Sequence, residues 1–112
     1  MPPQILALTP LFLGLADPTR LRILNLLSGG EVCVCHLVTI LDMAQPTISR
    51  HLAYLRRHGL VTARREGKWM HYAWARHPHP AARAMMESLR SAMAADPAMT
   101  RERRRLTQLC CA

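Results

Sequence analysis

Residues 45–60 read QPTISRHLAYLRRHGL, and this stretch decides the fold. Ile48, Leu52 and Leu55 are spaced at i, i+4 and i+7, which places them on one face of an α-helix. The penultimate glycine of the stretch is a stop signal just beyond the last turn. The sequence therefore predicts a helix over 45–57 whose apolar face is buried.

The opposite face of this helix carries polar and basic side chains that suit a nucleic acid. Amide, hydroxyl and guanidinium groups hydrogen-bond to base edges and phosphates. The candidates are Gln45, Thr47, Ser49, Arg50, Tyr54 and Arg57. Thr47, Ser49 and Arg50 are the first choices for contacts in a groove, while Gln45 suits either an adenine or a phosphate.

A second predicted helix precedes the first. Residues 34–41 are mostly apolar, and only Asp42, Met43 and Ala44 separate them from the helix over 45–57. A connection of about three residues between two helices is typical of a helix-turn-helix. We therefore expect the later helix to be the one that contacts a nucleic acid.

Two predicted strands follow the helix-turn-helix. Residues 61–65 and 68–74 contain Val, Thr, Trp and Tyr, which favour a pleated surface, and the Glu-Gly pair between them permits a tight turn. The basic side chains near that turn are Arg64, Arg65 and Lys68. The fold class predicted is mainly α with a small β-hairpin, arranged as a winged helix-turn-helix.

Helical segments flank this unit on both sides. Residues 18–28 follow an Asp that can cap them, and their Leu and Ile side chains predict a buried helix. Residues 1–16 and 80–96 carry further apolar stripes. We expect them to form a homodimer interface, with packing inside the chain as the alternative. Residues 97–112 are a basic, Cys-ended tail, expected to form a last short helix or to stay mobile.

Length and composition limit the class of protein. A chain of 112 residues that is 50% hydrophobic suits one domain over 1–112. Its 15 Lys and Arg against 7 Asp and Glu give a formal charge of +8, which points to a polyanionic partner. No apolar run reaches the roughly 20 residues of a spanning helix, and no signal peptide is recognisable. We therefore expect a cytoplasmic protein that makes no membrane contact, and the lack of a Gly-rich loop or Cys-x5-Arg cradle argues against an enzyme.

Four sequence runs resemble a known family. LADPTRLRILNLL, GEVCVCHLVTIL, QPTISRHLAYLRRHGLV and REGKWMHYAW resemble, in order and spacing, the ArsR/SmtB winged-helix metalloregulators, and their arsenic-responsive branch in particular. The resemblance implies a homodimeric repressor that binds an inverted-repeat operator in double-stranded DNA and is released when its inducer binds. The two recognition helices of such a dimer lie about 34 Å apart, one per half-site, and its wings contact the flanking backbone or the minor groove.

Cys33, Cys35, Cys110 and Cys111 are the candidate metal ligands. Residues at i and i+2 of a regular helix point about 200° apart, so Cys33 and Cys35 can share an ion only where the backbone is extended or distorted. Thiolates select soft ions. The resemblance implies trivalent arsenic held by three thiolates, but the third local Cys that is frequent in this branch is replaced here by Val38. The favoured set is therefore Cys33, Cys35 and one tail cysteine, from the same subunit or the partner.

Several alternatives stay open from the sequence. The inducer is arsenite, a methylated trivalent arsenical, which a site of two thiolates would suit, or antimonite. Cys110 and Cys111 can also form a site of their own or be idle. A thiol redox repressor and a repressor that responds to Cd, Zn or Pb are rivals within the same fold. A zinc site on the last dimer helix is disfavoured, because residues 81–95 contain no His or Asp and Glu87 is their one carboxylate.

Overall fold

The computed structural model describes the backbone of residues 4–110 and the side chains of residues 5–109. Along these residues a 3-10 turn, Gln4–Leu8, is followed by six helices and three strands. The helices are α1 (Thr9–Leu15), α2 (Pro18–Leu27), α3 (Val34–Leu41), α4 (Gln45–Arg57), α5 (Pro80–Ala95) and α6 (Pro97–Cys110), and the strands are β1 (Val32–Cys33), β2 (Val61–Glu66) and β3 (Trp69–Trp74). No helix in this range is long and apolar enough to cross a bilayer.

The predicted helix-turn-helix is confirmed, and both of its helices have the predicted bounds. Ile48, Leu52 and Leu55 on α4 are completely buried. Asp42 ends α3 in the left-handed region, with φ 53°, and its N–H donates to the carbonyl of Val38 over 3.0 Å. Asp is one of the few residues that tolerates this conformation. The chain can therefore reverse direction within the three residues before α4.

The predicted hairpin consists of β2 and β3 and forms the wing. The sheet contains one strand more than this hairpin. The sheet has the order β1-β3-β2 and both strand pairs are antiparallel. In the additional pair Val32 lies opposite Tyr72, and Cys33 lies opposite His71. A strand of two residues has no periodicity to detect, which is why the sequence analysis missed it. As a result, Cys33 belongs to the same sheet as the wing.

The core lies between the helix-turn-helix and α2. Its completely buried side chains include Ile23, Leu24, Leu37, Ile48, Leu52, Leu55 and Leu60. The indole N–H of Trp74 donates to the carbonyl of Leu24 over 2.7 Å, which fixes the end of β3 on α2. Gly14 allows α1 to approach closely, because a Cβ at this position would collide with the side chain of Leu60.

The segment predicted as a short helix or a mobile tail is a docked helix over Pro97–Cys110. Glu102 accepts two hydrogen bonds from Arg22, at 3.0 and 2.7 Å. Asn25 is completely buried, donates to the carbonyl of Met99 over 3.0 Å and accepts from Arg103. Helix α6 is therefore attached to α2 by polar contacts and by the buried side chain of Leu106.

The two apolar stripes predicted as a dimer interface differ from each other. On α5, Ala82, Met86 and Met93 are buried within the same chain, so the alternative of packing inside the chain holds for them. At the N-terminal end, large apolar side chains remain exposed, namely Ile5 (60%), Leu6 (57%), Phe12 (55%) and Leu13 (49%). Most of the exposed large apolar side chains that the structure describes therefore lie before Gly14. The apolar side chains of α5 are instead largely buried in the core of the same chain.

The polar contact between α2 and α6 leads to a stability prediction. Asn25→Ala removes a buried amide together with its hydrogen bonds to the Met99 carbonyl and from Arg103, so we expect the free energy of unfolding to fall by about 2 kcal/mol. Urea denaturation monitored by circular dichroism measures this change. Thr107→Ala, at an exposed position of α6, is the control. An equal loss in both variants would contradict the role of Asn25.

Candidate thiol site and nucleic-acid interface

Cys33 and Cys35 lie where β1 changes into α3. Cys33 is the N-cap of α3, with φ −68° and ψ 140°, and Cys35 is the second residue of the helix. The backbone at Cys33 is therefore extended, which is the condition for Cys33 and Cys35 to share one ion. The two Sγ atoms are 2.7 Å apart, with the thiol of Cys35 donating to Cys33. Two soft donors thus converge on one point, although their role as ligands stays a prediction.

The protonation of this pair is set by its surroundings. Cys33 is buried and Cys35 is half-buried, and both are free thiols. Burial, followed by the hydrogen bond and charge interaction with Cys33, raises the pKa of the Cys35 thiol to about 11. At neutral pH this thiol keeps its proton. A ligand that binds here must therefore displace a proton.

A third ligand has no described position beside the pair. Among the described side chains no group of three or more His, Cys, Asp and Glu could hold a metal ion. The predicted third thiol belongs to Cys110 or Cys111. The side chain of Cys110 and the whole of Cys111 lie outside the described residues.

The backbone of α6 nevertheless leads towards this part of the molecule. Gln108 and Leu109 line one cavity together with Thr39 and Ile40 of α3. Thr39 lies one turn after Cys35, on the same helix face, and its hydroxyl donates to the Cys35 carbonyl over 3.1 Å. The last turn of α6 therefore packs against the face of α3 that continues from Cys35.

The predicted nucleic-acid face of α4 is mostly accessible. Gln45, Ser49, Arg50 and Arg57 are exposed, and Thr47 is half-buried. Arg50 makes a long hydrogen bond of 3.5 Å to the hydroxyl of Thr47, so these two side chains are close neighbours. The exposed basic and polar groups fit the predicted contact with DNA, which stays a prediction.

Tyr54 is more engaged than the sequence suggested. Its ring stacks on that of His58, with 4.0 Å between centroids, and the guanidinium of Arg20 lies 4.2 Å from its centroid. The ring of Tyr54 therefore helps to fix α2 against α4. Its predicted contact with DNA stays a prediction.

The three predicted wing cations are not equivalent. Arg64, Arg65 and Lys68 are all exposed on the hairpin. Arg64 donates to both carboxylate oxygens of Glu31, at 3.0 and 2.5 Å, and to Glu66 at 3.1 Å. These hydrogen bonds hold the pKa of the Glu31 carboxyl below its usual value and raise the pKa of Arg64. The charge of Arg64 is therefore largely balanced within the protein.

Glu31 is the residue at this site that the sequence analysis missed. It is 33 positions from Arg64 along the chain, and no periodicity connects the two. The sole signal was a carboxylate next to the Cys-x-Cys element in a chain with few acidic residues. The contact becomes visible only when β1 is placed beside the hairpin.

Known proteins of similar sequence are regulators of arsenical resistance. The arsenical resistance operon repressor of Escherichia coli K12 is 55% identical over 82 residues, which cover 71% of this chain and 70% of that protein. An arsenic resistance transcriptional regulator of Pseudomonas putida KT2440 is 50% identical over 68 residues, or 58% of this chain; the chain spans about half of its length, 53%.

Solved structures of similar fold are winged-helix regulators. HlyU from Vibrio cholerae has a TM-score of 0.70 at 33% identity, with coverage of 82% of this chain and 97% of that one. The homodimeric winged helix-turn-helix DNA-binding domain of a Mycobacterium bovis protein has a TM-score of 0.64 at 33% identity, with coverage of 76% and 79%.

The family profile described as bacterial regulatory protein, arsR family, matches residues 17–63, which contain the helix-turn-helix and the Cys-x-Cys element. Together with the identity and coverage of the Escherichia coli repressor, this match shows that the chain belongs to the arsR family of bacterial regulatory proteins.

Proposed function

We propose that the chain is a homodimeric repressor that binds double-stranded operator DNA and is released when Cys33 and Cys35 bind trivalent arsenic. The observation that carries the proposal is the convergence of two thiols, 2.7 Å apart, at the start of the helix that supports α4. The names of these two relatives, which refer to resistance to arsenic, support the choice of inducer.

DNA binding is supported by charge and exposure. The formal charge of +8 favours a polyanion, and α4 presents exposed polar and basic side chains at the position of a recognition helix. The wing adds Arg65 and Lys68 beside it. We assign the selection of sequence to Thr47, Ser49 and Arg50, and sequence-independent affinity to the wing.

Dimerisation is supported by the exposed apolar surface before Gly14. Phe12 and Leu13 on α1 are about half exposed, at 55% and 49%, together with Ile5 and Leu6. A second copy of the chain would cover such a surface and remove it from water. The Mycobacterium bovis neighbour is described as homodimeric, in agreement with this assembly. Two α4 helices would then face successive major grooves.

The donor set fits a thiophilic inducer. Both described donors are sulfurs, and the described residues place no third His, Cys or carboxylate in a ligand group with them. When bound, trivalent arsenic supplies a soft centre that forms bonds to as many as three sulfurs. Because α6 packs on the face of α3 below Cys35, we assign the third thiol to Cys110 or Cys111 of the same chain. Arsenite and antimonite can form three such bonds, whereas a methylated trivalent arsenical keeps its As–C bond and binds two sulfurs at most.

The response of the protein follows from the position of the pair. Cys33 caps α3, and its sulfur accepts the Cys35 N–H over 3.4 Å. When both sulfurs are drawn onto a ligand, they leave this arrangement, and the first turn of α3 must change with them. Helix α3 packs on α4, so the change reaches the recognition helix. A hundredfold loss of DNA affinity requires about 2.7 kcal/mol of coupling, within the range of known allosteric systems.

The thiol assignment is tested by replacing cysteines. We expect Cys33→Ser and Cys35→Ser each to abolish the release of DNA by arsenite, because each variant leaves a single sulfur of the pair. In Cys110→Ser/Cys111→Ser we expect two sulfurs bound instead of three and a weaker release. Thiolate-to-arsenic absorbance counts the bonds, and fluorescence anisotropy on a sequence selected from random duplexes measures release. If the tail variant matches the wild type, Cys33 and Cys35 are the whole sensor. If the Cys33 variant still responds, or if an oxidant but not arsenite releases DNA, the arsenic proposal is wrong.

The DNA interface is tested by salt dependence. Arg65→Gln removes a phosphate contact of the wing, so we expect weaker binding to every sequence and a slope of log K against log salt that is lower by about 1. Arg50→Gln is expected to relax sequence selection at a cost of about 1–3 kcal/mol. Arg104→Gln, at an exposed position of α6, has the same change of charge and is the control. Equal slopes for the Arg65 and Arg104 variants would count against the wing assignment.

Because the pKa of the Cys35 thiol is raised, the affinities for arsenite and for a divalent metal ion should depend differently on pH. At pH values of about 6–8 the thiol, with a pKa of about 11, is protonated. Towards arsenite, the Cys35 S–H gives its proton to a hydroxyl group that leaves as water while the S–As bond forms, so no net proton is released by this bond. A divalent ion such as Cd²⁺ must instead expel the proton, and its affinity should rise roughly tenfold per pH unit for each proton released. We expect isothermal titrations in several buffers to show arsenite affinity nearly independent of pH. A steep rise for arsenite would contradict this scheme.

A further inference from the structure

The thiol pair is connected to the wing as well as to the recognition helix. Cys33 is a residue of β1, and β1 occupies one edge of the sheet whose other two strands form the wing. Its backbone lies opposite His71 of β3 in the antiparallel pair. A movement of Cys33 would therefore act on the pairing of β1 with β3 as well as on the start of α3.

Glu31 extends this connection across the whole sheet. It lies two residues before Cys33, and its carboxylate accepts two hydrogen bonds from Arg64, at 3.0 and 2.5 Å. Arg64 belongs to β2, which lies on the far side of β3 and is opposite His71. The ion pair thus bridges the two outer strands over the central one. It attaches the wing directly to the segment that carries the thiols.

The exposure of this pair argues against a role in stability alone. The side chains of Glu31 and Arg64 are 37% and 52% exposed, and exposed ion pairs contribute little to the free energy of unfolding. The geometry, however, is bidentate, which fixes orientation better than a single contact. Such a pair is suited to setting the position of the hairpin.

We propose that Glu31 is a positioning residue that holds the wing in its DNA-binding position through Arg64 and couples the wing to the thiol pair. The inference rests on the proposed function and adds a second output to it. With both sulfurs free, Glu31 keeps the wing beside β1, where Arg65 and Lys68 face the DNA backbone. When Cys33 moves onto a ligand, Glu31 moves with it, and Arg64 no longer holds the hairpin in place.

Glu66 provides a matched control for this mechanism. Its carboxylate also accepts from Arg64, at 3.1 Å, and lies 3.8 Å from His71. It belongs to the wing itself, so it has no connection to the thiol segment through the chain. Glu31→Gln and Glu66→Gln remove the same charge from the same arginine. If charge alone mattered, both variants would bind DNA more tightly, because a negative group near the interface is lost.

The first test uses the protein without inducer. We expect Glu31→Gln to lower operator affinity about threefold to tenfold, while Glu66→Gln leaves it unchanged or raises it, as measured by anisotropy at fixed salt. Thiolate-to-arsenic absorbance without DNA should show the same number of As–S bonds in both variants and in the wild type. Tighter DNA binding by Glu31→Gln would overturn the inference, since charge would then explain the result.

The second test measures coupling. We expect the ratio of operator affinities without and with arsenite to be at least about fivefold smaller in Glu31→Gln than in the wild type, and to be nearly unchanged in Glu66→Gln. The charge-swapped variant Glu31→Arg/Arg64→Glu should recover part of that ratio. If Glu31→Gln has the wild-type ratio, or if Glu66→Gln loses as much, the inference is wrong while the proposed function stands. If the wild type shows no release by arsenite, both are overturned.

Discussion

The change of backbone at Cys33 is the constraint on which the candidate site depends. One residue is at the same time the last residue of β1, the N-cap of α3 and one of two adjacent sulfurs. An extended N-cap is what a helix start requires, and it is also what allows residues at i and i+2 to share a point in space. The two sulfurs therefore converge without any distortion of a formed helix, because Cys33 precedes the first turn of α3.

The ion pairs of the chain determine which of its cations remain unpaired at the surface. A formal charge of +8 would attract DNA from any direction, yet the ion pairs of this chain withdraw particular cations from that field. Arg22 is bound to Glu102 on α6, and Arg64 is bound to Glu31 and Glu66 on the wing. The paired arginines hold elements together, whereas Arg50, Arg57 and Arg65 remain exposed on the elements proposed to meet the duplex. The positive net charge favours DNA as a partner, and the ion pairs leave these three arginines available on the proposed DNA-binding surface.

Local patterns in the sequence predicted what depends on local physics. The period of Ile48, Leu52 and Leu55 predicted α4, and the bounds of α3 and α4 are confirmed, because an amphipathic helix and its breakers are encoded within a few residues. The strand β1 was missed because it exists only through its pairing with β3. The contacts of Asn25 and Glu31, with partners 74 and 33 positions away, have no local signal either. The methionines of α5 that are buried in their own chain were predicted to lie in a dimer interface. A sequence does not show how much of the core remains for α5 to cover once α6 is docked.

The position of Val38 connects stability to sensing. The family resemblance places a third cysteine there in many arsenic-responsive relatives, but in this chain the side chain packs against the core. A local site of three thiolates is therefore not available, and under the proposal the third thiolate comes from a separate element. Helix α6 ends at Cys110 and lies against α3, while Arg22 and Asn25 of α2 hold it through Glu102 and Arg103. If its cysteines complete the site, these polar contacts set the distance over which the third sulfur must move. The docking of α6 would then determine inducer affinity, although none of its anchoring residues touches the inducer.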